Sequence, residues 1–431
     1  MTPSTGPRRE RRVAVIGAGI VGTCTAWYLR ERGFEVTVLE RRDGVARETS
    51  WGNAGVIAPG YVTPWAAPGM PRKVLSYLFA AEAPVLFRPV ASAALLRWIA
   101  RWLRECELSR YRVNKSRMQR LAFYSRGELH ALRAQLGIDD GRRAGYLQLL
   151  RGERDLAMTG PARALLEESG VPHRMLDAAQ CRELEPALSP VTPLVGALYL
   201  PEDESASCPA FAQALAAAAL AAGVRFEFGR TVQRITVEGG AVTGVLATRD
   251  GRLPERADRF DAVVVAGAVD SLPLLARHGI RLPIWPVKGY STTLPLDDEA
   301  AGPRHAMIDE AYKVAITPFG RSIRVAGTAE LGSPRLEPRA AALRTLVKVG
   351  RDWFPDAARW EQAECWVGAR PMTPDGPALL GATPVRGLYV NMGHGSTGWA
   401  MACGAGKAVA DVVAGRPPEI DLDGLTLARL G

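Results

Sequence analysis

Histidine is scarce in this chain, five in 431 residues, and no two are three or four apart. The six cysteines (Cys24, Cys106, Cys181, Cys208, Cys365 and Cys403) are scattered, and none forms a C-x-x-C pair. Neither a zinc site nor a disulfide framework is therefore expected, and no metal. No apolar run reaches the roughly 18 residues of a membrane span. The one apolar stretch near the N-terminus, VAVIGAGIVG at residues 13–22, is too rich in glycine for the core of a secretory leader. A cytoplasmic protein is expected. Sequence signatures of nucleic-acid modules are also missing, so the net charge of +9 implies no nucleic-acid partner. The basic run PRRERR reads as a solvated tail ahead of the first strand.

Glycine, by contrast, is plentiful, and it marks two strand-to-helix turns at opposite ends of the chain. In the first, the apolar run Val13–Ile16 leads into Gly17, Gly19 and Gly22, spaced G-x-G-x-x-G. A helix follows to about Arg32, stopped by Gly33, and a second strand, residues 35–40, ends in Glu40. This order is the dinucleotide-binding unit. Its glycines permit a tight turn, close approach to a pyrophosphate and close helix–strand packing. The helix N-terminus presents free N–H groups and a positive dipole end. Glu40, with Arg41 beside it, is placed for a ribose hydroxyl, and Val15, Ile20 and Val21 flank the turn. A nicotinamide enzyme usually proceeds to a helix and a third strand. Here a small and polar run follows instead, in which Thr49, Ser50, Asn53, Ala54 and Gly55 are candidates to line an extended ligand.

Residues 71–135 carry helical periodicity, with Trp98 and Trp102 four apart in SAALLRWIARWLREC. Between 225 and 268 the period becomes two and reads as a β-meander, closed by the buried strand DAVVVAGA. Val232 and the Ala266–Gly267 turn there are further candidate cofactor contacts. Residues 283–330 are strand-rich, a helix is expected over 338–351, and a last strand, GLYVNMG, enters the second glycine turn, GHGSTGWAMACGAG. An α/β fold with two interleaved domains is expected. A Rossmann-like FAD-binding domain comprises residues 1–70, 195–282 and 362–431. A substrate domain with a mixed or antiparallel sheet and helices comprises 71–194 and 283–361.

The stretches ETSWGNAGVIAPGYVTPWAAPG, PVKGYS, DEAYKVAITPFGRSIRVAGTAE, GARPMTPDGPALLG and GHGSTGWAMACGAG, in this order, resemble the FAD-dependent D-amino-acid oxidase (DAO) family, and most closely its bacterial D-amino acid dehydrogenase branch. The resemblance spans nearly the whole chain. It implies an extended FAD, held non-covalently, with its pyrophosphate at the first glycine turn. The second turn, Gly393, His394, Gly395, Thr397 and Gly398, then faces the pyrimidine edge of the flavin. Glycine is needed where backbone approaches a flat ring. A helix beginning near Ser396 or Thr397 would direct its positive end at the charge that collects on the reduced ring.

The resemblance further implies oxidative deamination of D-amino acids such as D-alanine, with electrons passed to a quinone or another acceptor. Alternatives are a secondary-amine oxidase or dehydrogenase (sarcosine, D-proline, cis-4-hydroxy-D-proline) and a non-catalytic FAD-binding subunit. Arg370 stands where relatives carry the arginine that grips the substrate carboxylate, and its planar fork suits bidentate binding. Tyr312 and Lys313 stand where relatives place a substrate-side tyrosine, and Tyr290 is a weaker candidate. His394 is read either as a donor to the flavin or as a turn residue. Cys365 lies slightly upstream of the position through which some relatives bind FAD covalently. Oligomerisation is left open. The amphipathic residues 74–106, with Arg97, Arg101, Arg104 and the two tryptophans, suit peripheral contact with the cytoplasmic face of the inner membrane.

Overall fold

The structure is a computed structural model and describes residues 11–77, 84–249, 251–252 and 254–430. A six-stranded sheet forms one half. Its order is Leu379–Ala382, Leu388–Met392, Ala262–Val265, Arg12–Ile16, Glu35–Leu39 and Arg225–Glu227. All neighbours are parallel except the first pair. Val13, Ala14, Val15, Val263 and Val264 are fully buried, as expected of strands covered on both faces. One face carries two helices, Ile20–Glu31 and Gly398–Ala414, packed side by side. A Cβ at Gly406 would lie 2.9 Å from Cys24, so small residues let these helices approach closely. Cys24 and Cys403 meet there as free thiols with sulfurs 3.7 Å apart.

A ten-stranded sheet forms the other half. Its main path runs Trp366–Met372, Trp285–Pro295, Ser322–Gly332, Val314–Phe319, Ala306–Asp309, Arg143–Leu150, Gly196–Ser205 and Val56–Ile57. Alternation divides each strand between two faces. Tyr290, Met307, Val314, Ile316, Ile323 and Val325 pack beneath the helix Ala340–Trp353. On that same side Lys288 and Glu330, both without solvent exposure, form an ion pair that Tyr290 joins through a 2.7 Å hydrogen bond to Glu330. The opposite face, with Gly289, Arg324 and Arg370, looks toward the first sheet.

Three strand assignments differ from the sequence reading. Residues 225–268 are not one meander. Val232–Glu238, Ala241–Ala247 and Asp258–Arg259 form a separate antiparallel sheet, while Arg225–Glu227 and Ala262–Val265 join the parallel one. Val85–Arg88 is a strand within the stretch read as helical. Gly196–Ser205 and Trp366–Met372 run in the ten-stranded sheet, although 195–282 and 362–431 were grouped with the cofactor domain. Conversely, the helix Leu108–Leu136 packs against Gly398–Ala414. A strand's own composition reports burial, whereas its partner is set by distant chain.

Within the insertion, Trp98 is buried and donates to the Met372 carbonyl at 2.9 Å, so it is a wall residue and not a surface anchor. Leu96 and Leu103 remain exposed on the same helix, Ala93–Glu105. Residues 78–83 of this insertion lie outside the described residues. Among the described residues no helix is long and apolar enough to cross a membrane.

Candidate functional site

One cleft runs along the carboxyl ends of the parallel strands and is lined by both glycine turns. At its first end Gly17 adopts φ +101°, and a Cβ there would fall 2.9 Å from Gly267 Cα. The turn thus needs glycine for conformation and for contact. Gly22 is not a lining residue. Its Cβ would meet the Gly17 carbonyl at 1.9 Å, so it serves the close packing of helix on strand. Gly19, Ile20 and Val21 line the cleft at the helix N-terminus. The Ile20 N–H is received by Ser50 Oγ at 3.1 Å. The Glu40 carboxylate is braced by the N–H groups of Ala18 (2.7 Å) and Arg42 (2.8 Å), and it also lines the cleft. A carboxylate so fixed at a strand end is an acceptor set for hydroxyl donors. Arg41 pairs with Glu48 at 2.7 Å and with Asp270 at 2.5 Å across the mouth.

The second end is built on the last parallel strand. Gly393 and Gly395 turn with φ +79° and +58°, and a single 3₁₀ turn, Gly395–Thr397, precedes the helix that begins at Gly398. Four buried polar atoms here lack a partner among the described residues: Asn391 Oδ1, His394 Nε2, Thr397 Oγ1 and Trp399 Nε1. Buried polar atoms are nearly always satisfied, so such a concentration marks the seat of a polar ligand. His394 is 3% exposed, and burial pushes its pKa down to about 4. Its ring is a neutral imidazole over the ordinary working range.

Arg370 projects from the strand Trp366–Met372, whose end adjoins this turn through a Met372–His394 bridge. Its guanidinium crosses Gly289, where a Cβ would lie 2.4 Å from Nη2, and it faces the Trp65 ring at 6.0 Å. No carboxylate pairs with Arg370 among the described residues, and burial pushes its pKa down to about 10. Half-buried at the wall of the site, a cation without a carboxylate partner is costly unless an anion binds it.

The sequence pattern of FAD dependent oxidoreductases (DAO) matches residues 12–412. The chain belongs to the DAO family of FAD-dependent oxidoreductases. Solved structures share its fold. Glycine oxidase from Geobacillus kaustophilus is 25% identical, with 97% of this chain and 99% of that one covered and a TM-score of 0.72. L-proline dehydrogenase from P. horikoshii is 19% identical over 98% of each chain, also at 0.72. Iminodiacetate oxidase from Chelativorans sp. is 23% identical, covering 96% and 98%, at 0.69.

The cleft of this DAO-family chain suits FAD on its own residues. A pyrophosphate cradle closed to any Cβ stands at one end, and unpartnered donors and acceptors stand at the other. Val232, Asn53, Ala266 and Gly267 line it. Val15 does not, being buried within the sheet. Gly55 presses on the Phe319 ring, and Ala54 beside it is likewise absent from the lining. Tyr312 turns to the opposite face of the ten-stranded sheet, between Arg151 (4.9 Å) and Lys348 (4.8 Å). Tyr290 points to that face as well. Lys313, at φ +51°, reaches Glu310 and the Tyr61 hydroxyl instead. Tyr312 and Lys313 lie in the turn between the strands Ala306–Asp309 and Val314–Phe319, where backbone geometry and not strand alternation sets their directions. Cys365 packs with the cluster beneath Ala340–Trp353, away from the cleft. Arg230, Asp270, Asn391 and Trp399 line the cleft and were not singled out. Asn391 alone carried a signal, a polar residue ending an apolar strand.

The depressed pKa of His394 fixes a pH dependence. The unfolded chain protonates its histidine near pH 6.5, whereas the folded chain resists until about pH 4. Stability is thus unaffected above pH 6.5 and falls as pH drops toward 4, by up to about 3 kcal/mol. Urea unfolding of flavin-stripped protein should show this loss shrinking in His394→Asn. An identical acid limb in parent and variant would refute the assignment.

Proposed function

We propose that this chain oxidises the Cα–N bond of a D-amino acid such as D-alanine. The observation that carries the reading is Arg370, a half-buried cation without a carboxylate partner among the described residues, beside a turn of unpartnered polar atoms. Arg370 receives the substrate carboxylate through two parallel N–H···O bonds, which orients Cα. Trp65 and the buried Trp98 wall this region and limit water. Neutral His394 offers hydrogen bonding without adding a charge that would repel a cationic amine. The substrate amine loses its proton before reaction, so that its lone pair assists cleavage of the Cα–H bond. FAD, held non-covalently between the turns at Gly17–Gly19 and Gly393–Gly398, would supply the two-electron acceptor for the hydride that leaves Cα. The imino acid product then takes up water and yields a 2-oxo acid and ammonia. The motifs PWAAPG, RPMTPDG and GHGSTGW support the D-amino acid dehydrogenase assignment, and a quinone acceptor follows from resemblance to that branch and not from any particular residue. A second reading, oxidation of secondary amines, is favoured by the shared fold of a proline dehydrogenase and an iminodiacetate oxidase.

Anaerobic bleaching of the purified yellow protein separates these readings. D-alanine should reduce it faster than sarcosine, D-proline or cis-4-hydroxy-D-proline, and an artificial dye or quinone should reoxidise it faster than oxygen. Bleaching by the secondary amines alone would reverse the substrate, fast peroxide formation under air would reverse the acceptor, and flavin left on acid-denatured chain would reverse non-covalent binding.

Arg370→Lys keeps the charge and loses the two-pronged geometry. Loss of such a buried charge-assisted contact costs about 2–4 kcal/mol, or roughly thirty-fold to several hundred-fold in kcat/KM. The deficit should appear in kcat as well as KM, with FAD content unchanged, when flavin reduction is followed by stopped flow. Parent-like reduction and saturation would remove Arg370 as the anchor.

The exposed Leu96 and Leu103 beside Arg97, Arg101 and Arg104 support peripheral contact with anionic lipid at the inner membrane's cytoplasmic face, where a quinone is at hand. Sedimentation with anionic vesicles at low salt, weakened by Leu96→Glu/Leu103→Glu, is the expected outcome; parent protein that stays in the supernatant would contradict it.

A further inference from the structure

Arg324 is a second guanidinium that the structure buries without a carboxylate. It is 7% exposed, and burial pushes its pKa down to about 10. Nε donates to Thr293 Oγ1 at 2.8 Å, and Nη1 donates to the carbonyls of Trp51 and Asn53 at 2.9 and 2.7 Å. The guanidinium lies 4.2 Å from the centre of the Phe319 ring. A hydroxyl and two carbonyls receive Nε and Nη1 but leave the positive charge uncompensated, an arrangement that is expensive unless it serves a site.

Both carbonyls belong to the run 49–55, which bridges the two halves of the molecule. Thr49 donates to the Ala369 carbonyl at 2.9 Å, one residue from Arg370, and Ser50 receives the Ile20 N–H at the pyrophosphate turn. Asn53 lines the cleft, and its Oδ1 accepts from Gly55 N–H at 2.8 Å, which leaves its amide nitrogen as the group for a ligand. The run is pressed onto the substrate sheet: a Cβ at Gly52 would lie 2.0 Å from the Trp366 ring.

We propose that Arg324 is a positioning residue for the flavin. It fixes the 49–55 run so that the Asn53 amide faces the cofactor, and its charge raises the electron affinity of the site. The proposal rests on FAD occupying the cleft. The test uses full-length protein and the variants Arg324→Met, Arg324→Lys, Asn53→Ala and Arg324→Met/Asn53→Ala. The readouts are the FAD dissociation constant of stripped protein, the flavin midpoint potential, and the unfolding midpoint of stripped protein.

Arg324→Met should weaken FAD binding tenfold or more and make the potential more negative, with little change in unfolding of the stripped chain. Arg324→Lys should weaken binding similarly while keeping the potential near the parent value, and it decides the matter should the Met variant be insoluble. On the Asn53→Ala background the Met substitution should add less than a twofold further loss of affinity, because Arg324 acts through Asn53. The proposal is overturned by parent-like affinity and potential in Arg324→Met, by an undiminished tenfold loss on the Asn53→Ala background, or by a change confined to unfolding. A parent that binds no FAD overturns the cofactor assignment and this proposal together; a parent that binds FAD with Arg324 indifferent overturns this proposal alone.

Discussion

The separation of the two glycine turns is set by how the helix Ile20–Glu31 lies against Gly398–Ala414. Each helix begins at a turn, and both N-termini open on one cleft. Gly22 brings the first helix onto its strand, and Gly406 brings the second helix onto Cys24. Thr25 on the first helix accepts from the Asn391 amide at 3.0 Å, which ties the last strand to the same contact. A methyl group at either glycine would need backbone or neighbouring atoms to move. The site inherits its dimensions from this one interface between small side chains, since the two dipole ends are held apart by a rigid distance.

The ten-stranded sheet supplies what the cofactor half lacks. Its outer face is ordinary core, with Lys288 and Glu330 neutralising one another under a helix. Its inner face carries Arg324, buried, and Arg370, half-buried, two cations without carboxylate partners among the described residues. Arg370 is half-buried beside Trp65, whereas Arg324 is sealed beneath the run 49–55. The first is suited to bind a ligand and the second to hold the loop that meets one.

Much of the cofactor end was legible in the chain. Gly17, Gly19 and Glu40 act through backbone geometry and strand position, both of which are local and leave a spacing in the sequence. The Gly393–Gly398 turn was legible for the same reason. Arg370 became legible only through resemblance, since nothing around it distinguishes a cation facing a cleft from one paired with Asp375. The structure pairs Asp375 with Arg429 instead, at 2.7 Å. Tyr290 misled because tyrosine suits either face of a strand, and only register decides which face is buried under a helix; Tyr312 misled because it sits in a turn, whose direction the sequence does not specify. Arg324 was silent because its partners are two backbone carbonyls, which every residue carries, and one threonine hydroxyl on a neighbouring strand. The boundaries of the halves were the least legible, because membership of a sheet is decided by partners that are distant in the chain.

A crystal structure of the FAD-loaded protein with a bound 2-oxo acid tests the central claim most directly. The account predicts one extended FAD with its pyrophosphate at Gly17–Gly19, its pyrimidine edge against Gly393–Gly398, and the carboxylate in a two-pronged contact with Arg370. A flavin ring remote from the second glycine turn, or a carboxylate held by another cation while Arg370 stays empty, would contradict it.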